Sequence, residues 1–252
     1  MKLCLRSIRR FTPAERCEVI VVDNGSTDAS LDYLRSVRWI RLIERPDETH
    51  ENWPRNVATA WDVGARQARG TYYMIMHADV FAKQGGWLDL FVRALETDEH
   101  VGAAGGWKLE VVSPVKAALK RATDVKALRM WLRRRLGMKA PPRSVRERFP
   151  RDYCAIYRLA PVLEHNFSFV QTVRTAGEEI YVQLKSAGFR AQMIPTRELM
   201  QYIEHVAHGT AAVTADAPLR HRRSQAKVER RTREIFASAL VRELLAEDSL
   251  DR

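Results

Sequence analysis

The chain has 252 residues, 46% of them apolar and 8% aromatic. That is enough core material for one large α/β domain or two small ones, and it excludes a wholly disordered chain. Lys and Arg number 42 against 31 Asp and Glu, a formal charge of +11, which points to an anionic partner: nucleic acid, an anionic membrane face or a phosphorylated substrate. The longest apolar runs, such as Val19 to Val22 and Tyr72 to Met76, fall far short of the ~20 residues that span a bilayer. No secretory signal is read at the start, where charge interrupts Met1 to Arg6 before an apolar stretch forms. Cys4, Cys17 and Cys154 are too widely spaced for a disulfide framework or a zinc pattern, so a reducing cytoplasm is expected.

In chain order, Leu3 to Arg9 predicts a short amphipathic helix ended by Thr12-Pro13. Glu18 to Val22 is a β-branched run suited to a strand covered on both faces. The turn from Asp23 to Asp28 follows, with Ser26 or Asp28 placed to cap a helix over Ala29 to Val37. Trp39 to Ile43 predicts a strand, Asn56 to Ala68 a helix stopped by Arg69-Gly70, and Tyr72 to Met76 a third strand. Trp87 to Thr97 predicts a helix, and Val101 to Val112 contains a fourth strand. This alternation predicts an α/β fold with a doubly wound sheet. Later come a strand at Cys154 to Tyr157, a helix over Glu178 to Ala187, a strand at Ala191 to Ile194 and a helix over Leu240 to Glu247.

Residues 113–150 break the rhythm. Lys116 to Arg151 carries thirteen cations opposed only by Asp124 and Glu147, an excess as large as that of the whole chain. Leu119, Leu128, Trp131, Leu132 and Leu136 lie among these cations over a helix-prone stretch from Lys116 to Leu136. Such a segment suits an interfacial helix on an anionic membrane, and equally a helix packed on a sheet with its cations in solvent. A second basic run covers Arg220 to Arg233. The chain reads as one domain with an insertion.

In an open sheet of this type, ligands bind beyond the carboxyl ends of the strands. Asp23 follows one predicted strand directly, and His77-Ala78-Asp79 follows another. Carboxylates there can receive a base or ribose, or ligate a hard cation bridging a diphosphate. They can equally cap backbone amides of their own turns.

The string Val19-Ile20-Val21-Val22-Asp23-Asn24-Gly25-Ser26-Thr27-Asp28 resembles the nucleotide-sugar glycosyltransferases of family 2, which have the GT-A fold. Asn56 to Gly70 is similar to the small-residue helix of that family, and His77-Ala78-Asp79 to its metal motif. Ala176-Gly177-Glu178-Glu179 resembles the loop that carries the acceptor-activating carboxylate, and Glu204 to Thr210 the late histidine segment. The resemblance implies a GT-A-like, mostly parallel sheet flanked by helices. It divides the chain into a nucleotide-sugar-binding half (1–112), a basic helical insertion (113–150), an acceptor-binding half (151–215) and a basic helical tail (216–252). It implies nucleotide contacts from Asp23, Asn24, Asp62 and His77, and a Mg²⁺ or Mn²⁺ ion at Asp79. His208 is the implied further metal ligand, with His205 as its alternative, and Glu179 or Glu178 is the base of an inverting, single-displacement transfer. His77 stands where the family usually has a first carboxylate, Asp62 where it has Asn, and Glu179 where Asp is common. The family's opening strand has no counterpart before the first helix. A nucleoside-diphosphate sugar would be the donor, and a glycan or lipid-linked molecule the acceptor. The protein would be cytoplasmic, docking peripherally on the inner membrane face. Two other readings stay open at this point. One is a glycosyltransferase-like partner protein with impaired catalysis. The other is a basic nucleic-acid-binding protein, although no helix-turn-helix, zinc or RNP-type signature accompanies the charge.

Overall fold

In the computed structural model, residues 1–47, 53–107, 147–170, 175–206 and 222–252 are described. The chain divides into one unit of Met1–Leu109 with Phe149–Arg252 and a second of Glu110–Arg148. The basic helix expected over 116–136 lies outside the described residues, as does His208.

The first unit opens with helix α1 (Lys2–Phe11). Strand β1 (Val19–Asp23) pairs in parallel with β2 (Ile40–Glu44), Val19 opposite Ile40 and Asp23 opposite Glu44, around helix α2 (Ser30–Ser36). The carboxylate of Asp28 accepts the Ser30 amide 2.9 Å away, so it serves the start of α2 from just outside the helix. Helix α3 (Trp53–Gln67) leads to β3 (Tyr72–Met76) and the short β4 (Val80–Ala82). Helix α4 (Trp87–Glu96) and β5 (Val101–Gly105) complete the part before the undescribed residues. Then come β6 (Cys154–Arg158), α5 (Leu159–Glu164), α6 (Ala176–Ser186), β7 (Arg190–Met193), α7 (Thr196–Tyr202) and β8 (Ile203–His205). Helices α8 (Arg222–Phe236) and α9 (Ala239–Ala246) and a 3₁₀ turn (Asp248–Asp251) close the chain.

Strands β3, β6, β5 and β7 form a four-stranded sheet in that order. The β5–β7 pair is parallel, and β6 runs antiparallel to both of its neighbours. The β1–β2 pair and an antiparallel β4–β8 ribbon form two further hydrogen-bonded groups among the described residues. The helical layers follow from the sequence. Six consecutive residues of α1, Leu3 to Ile8, are buried, so the helix is covered on more than one side. Cys4 and Ile8 join the cluster under β5 and β6, Leu5 packs with Val21 and Leu34, and Leu3 packs with Val241 and Leu244 of α9. On the opposite side, Ala58 and Ala65 of α3 meet Ile75, Ala155 and Tyr157. Small residues on α3 let it lie close to the sheet. Burying each large apolar side chain in these layers contributes roughly 1.5–3 kcal/mol.

The interior also holds a full charge. Arg6 of α1 is completely buried. Its Nε donates to Asp251 Oδ1 at 3.0 Å and its Nη2 to Asp251 Oδ2 at 2.6 Å, while Asp248 takes a further bond. Nη1 donates to the carbonyls of Leu244 and Leu245, at 3.2 and 2.6 Å. The final turns of the chain are thereby fastened to its first helix. Among the described residues, no helix is long and apolar enough to cross a membrane.

Candidate active site

The site is assembled by backbone pairing. Strand β3 ends at Met76, and His77 begins the turn to β4; its amide donates to Tyr153 O at 2.9 Å. Strand β8 then pairs with β4 so that His205 lies opposite Val80, and the Val206 amide donates to Asp79 O at 2.8 Å. This register brings His77, Asp79 and His205 together, one ligand atom of each lying within 4.8 Å of the others. His205 Nε2 is 3.3 Å and His77 Nδ1 3.9 Å from Asp79 Oδ1.

The environment favours metal-binding protonation states. Burial disfavours the imidazolium form of His77 and is the largest influence on it, leaving its pKa below the ordinary histidine value despite nearby Asp152 and Asp79. Burial works against ionisation of Asp79, but the adjoining imidazoles, His205 foremost, outweigh it and hold the carboxyl below the usual carboxylate range. His77 Nε2 is a buried polar atom without a hydrogen-bond partner in the structure, and the buried Asp79 Oδ1 has only the imidazoles beside it, His205 Nε2 at 3.3 Å. An unpaired buried polar atom is costly, so the one on His77, beside a carboxylate faced by two imidazoles, marks a place where a ligand belongs. A divalent cation fits this donor set.

Aromatic rings support both imidazoles. Trp61 stacks on His77 with centroids 5.7 Å apart and planes 22° apart. Tyr153 stacks on His205 at 5.3 Å and 16°. Trp61 is itself set by Tyr73, whose hydroxyl donates to its carbonyl at 2.9 Å, and by the edge of Phe169, 5.8 Å away. Gly106 leaves room for Tyr153: a Cβ there would stand 2.4 Å from the phenol oxygen.

Asp23 ends β1 and is buried; its Oδ2 accepts the Ser26 amide at 2.9 Å, closing the turn that Gly25 makes possible at φ 70°. Asn24 bridges two elements, accepting from Arg45 Nη1 at 2.8 Å and donating to Asn56 O of α3 at 3.2 Å. Its amide group is therefore engaged within the protein, and Arg45 joins the turn as a residue the sequence did not single out. Asp62, the fourth residue expected at the nucleotide, spends both oxygens elsewhere. Oδ2 accepts from Ser168 Oγ at 2.5 Å and Oδ1 from the Phe169 amide at 2.8 Å. It anchors the loop at 167–170 to α3.

Gln183 of α6 holds the same loop from the other side, accepting from the Ser168 amide at 3.0 Å and donating to Ser168 O at 2.7 Å. Glu178 and Glu179 both occupy the first turn of α6, half-exposed, with their amides bonded to Thr175 O at 2.9 and 2.8 Å. Negative charge is favoured at a helix N-terminus, so the first turn of α6 is a compatible place for two acidic side chains. Gly177 beside them is required by close approach, since a Cβ would lie 2.8 Å from Pro150 O.

An acidic turn at the end of one strand, β1, and a His-x-Asp turn at the end of another, β3, are what the resemblance to the GT-A transferases leads one to expect. The family model for glycosyl transferase family 2 matches residues 1–165, and the chain belongs to that family. An uncharacterized glycosyltransferase of Haemophilus influenzae is 30% identical over 98 residues, covering 39% of this chain and 29% of that protein. The chain thus spans under a third of the curated relative it matches. Among solved structures, the mannosyltransferase PcManGT of Pyrobaculum calidifontis, in complex with GDP-Man and Mn²⁺, superposes with a TM-score of 0.51 at 21% identity. That match covers 97% of this chain and 70% of the other. TarS of S. aureus gives a TM-score of 0.48 at 15% identity, over 94% of this chain and 41% of that one. The fold is that of the GT-A glycosyltransferases.

Proposed function

We propose that the protein transfers a sugar from a nucleoside-diphosphate sugar to a glycan or lipid-linked acceptor, with inversion, in a single displacement. The observation that carries this reading is the His77–Asp79–His205 cluster, with the unpaired buried Nε2 of His77, in a family 2 chain. The nucleoside half of the donor rests in the Asp23 turn. His77, Asp79 and His205 hold a divalent cation, which when bound offsets the charge of the departing diphosphate. His208 is kept as a further ligand from the sequence alone. Glu179, or Glu178 one residue earlier, takes the proton of the acceptor hydroxyl. The acceptor oxygen then forms its bond to the anomeric carbon as the sugar–diphosphate bond breaks and the diphosphate leaves with the electron pair. Asp62 and Gln183 hold the loop joining the donor side to the helix bearing the two glutamates. The halves at 1–112 and 151–215, the insertion at 113–150 and the tail at 216–252 are the division that goes with this reading. The lipid-linked acceptor, the docking of 116–151 on the inner membrane face and the cytoplasmic setting rest on sequence alone.

The test is thermal denaturation with UDP, GDP and other nucleoside diphosphates, with and without Mn²⁺, followed by turnover of the matching nucleotide sugars. The solved neighbour's GDP-Man makes a guanosine donor one of the first to try. A nucleotide at 100 times its Kd stabilises by about 2.7 kcal/mol. If no nucleotide shifts the transition with cation present, the chain is a transferase-like partner and not the enzyme.

A further inference from the structure

An acceptor hydroxyl has to reach both the anomeric carbon beside the cation and the carboxylate that takes its proton. It must therefore lie between the His77–Asp79–His205 cluster and the start of α6. The segment 149–153 spans that interval. At one end Tyr153 lies flat on His205. Beyond burial, the strongest influence on His77, the charges of Asp152 and Arg151 reach it in opposite senses. At the other end, a Cβ on Gly177 would stand 2.8 Å from Pro150 O and 3.4 Å from the Asp152 amide nitrogen. The segment thus lies directly on the turn of α6 that carries Glu178 and Glu179.

An aromatic and cationic platform is built there. Phe149 is its buried floor. Trp107 meets Phe149 edge to face, centroids 5.1 Å apart with planes at 86°, and Tyr181 of α6 stacks on it at 6.2 Å and 22°. The Arg151 guanidinium stands 5.5 Å from the centre of the Trp107 ring and 5.8 Å from that of Phe149. The Arg151 amide donates to Gly106 O at 2.9 Å, fastening the segment just past the end of β5. Trp107, Tyr181 and Arg151 are half-exposed.

A half-exposed tryptophan offers a flat surface for the apolar C–H face of a pyranose ring. A guanidinium stacked on rings keeps its N–H edge for a planar oxyanion, which it binds through two parallel hydrogen bonds. Among the described residues, no carboxylate pairs with Arg151. Arg151 is also the last of the thirteen cations that begin at Lys116, a charge excess that favours an anionic partner. Asp152, Glu178 and Glu179 disfavour an anion at the α6 end of the platform, so the anion belongs on Arg151 and a neutral hydroxyl faces the glutamates.

We propose that Trp107 and Arg151 form an acceptor subsite that selects an acidic sugar, its ring against Trp107 and its carboxylate or phosphate on Arg151. The role as acceptor rests on the transferase reading; the binding of the acidic sugar does not.

The experiment titrates the full chain with glucuronate, glucose 6-phosphate and glucose, reading dissociation constants by NMR, first alone and then with Mn²⁺ and excess GDP or UDP. At least one acidic sugar should bind about tenfold or more tighter than glucose, and the one that does identifies the oxyanion. Arg151→Met keeps an aliphatic stem over the rings but should remove this preference, whereas Trp107→Leu should weaken all three sugars. Equal binding of glucose and the acidic sugars overturns the proposal, as does an unchanged preference in a folded Arg151→Met protein. If neither that variant nor Arg151→Gln folds, the preference of the unaltered protein decides. Displacement of the acidic sugar by the nucleotide overturns it too, because the oxyanion then sits where the donor's diphosphate goes. A chain that binds acidic sugar but no nucleotide keeps the subsite and loses the transferase reading. Nucleotide binding and turnover without acidic-sugar binding does the reverse.

Discussion

Replacing Asp62 separates the nucleotide contact that the resemblance implies from the anchoring of the 167–170 loop that its hydrogen bonds show. In the structure its carboxylate is buried and accepts two bonds, from Ser168 Oγ at 2.5 Å and from the Phe169 amide at 2.8 Å. Bonds to a charged group contribute about 1.5 kcal/mol each at the lower end of their range, so Asp62→Ala should cost about 3 kcal/mol. The amide of the fully buried Phe169, whose ring packs on Tyr157, Tyr73 and Trp61, would be left without this acceptor. For a domain of this size that loss corresponds to a fall in Tm of about 6–12 °C. Asp62→Asn keeps an acceptor for Phe169 and offers a donor to Ser168 Oγ, so it should cost only about 1 kcal/mol. The assay is thermal denaturation of both variants without nucleotide, paired with nucleotide titration. Asp62→Ala with an unchanged Tm but weakened nucleotide binding would refute the reasoning and restore Asp62 to the donor pocket.

Other outcomes follow from the same geometry. Asp79→Ala should abolish cation-dependent nucleotide binding, whereas Glu179→Gln should keep binding and lose transfer; calorimetry and a turnover assay read the two, and loss in Glu178→Gln alone would move the base by one residue. Gly106→Ala should destabilise by about 1–3 kcal/mol, because its methyl group meets both Tyr153 Oη and Leu199 Cδ2 and overpacks the core; chemical denaturation measures it, and cation affinity should fall as Tyr153 shifts off His205. Arg6→Leu should cost about 3 kcal/mol by leaving Asp251 partly buried without its cation. Asp251 is held below the usual carboxylate range, its bonds to Arg6 and Tyr33 outweighing burial. Its stabilisation is therefore complete above that range and lost as pH falls through the depressed folded value. Arg6→Leu should flatten this acid limb in a series of melts against pH.

Much of the fold can be read from local pattern. The β-branched run at Val19 to Val22 and the apolar run at Tyr72 to Met76 are strands within a residue of their expected ends, and the turns after them hold Asp23 and Asp79. Strands β4 and β8 escape such reading, because three residues carry no period; only their mutual pairing defines them. That pairing admits His205, which in the sequence ranks behind His208 as a ligand. Asn24 and Asp62 show the converse: a residue type in a family position does not reveal where its hydrogen bonds go. Arg45 and Tyr153 carry no motif at all, and Trp61 lies in the Asn56 to Gly70 segment with nothing to mark it as the support of His77. Their place at the site depends on packing across elements distant in sequence.

The β4–β8 ribbon has a kinetic consequence. Asp79 and His205 belong to segments that meet only by closing a very long loop, and such contacts are entropically slow to form. A cation that needs both segments can speed refolding only if the ribbon is already in place at the folding barrier. If the ribbon zips up late, the ion will instead slow unfolding and leave the refolding rate untouched. The chevron of the loaded protein would thus date the assembly of the catalytic centre relative to the rest of the domain.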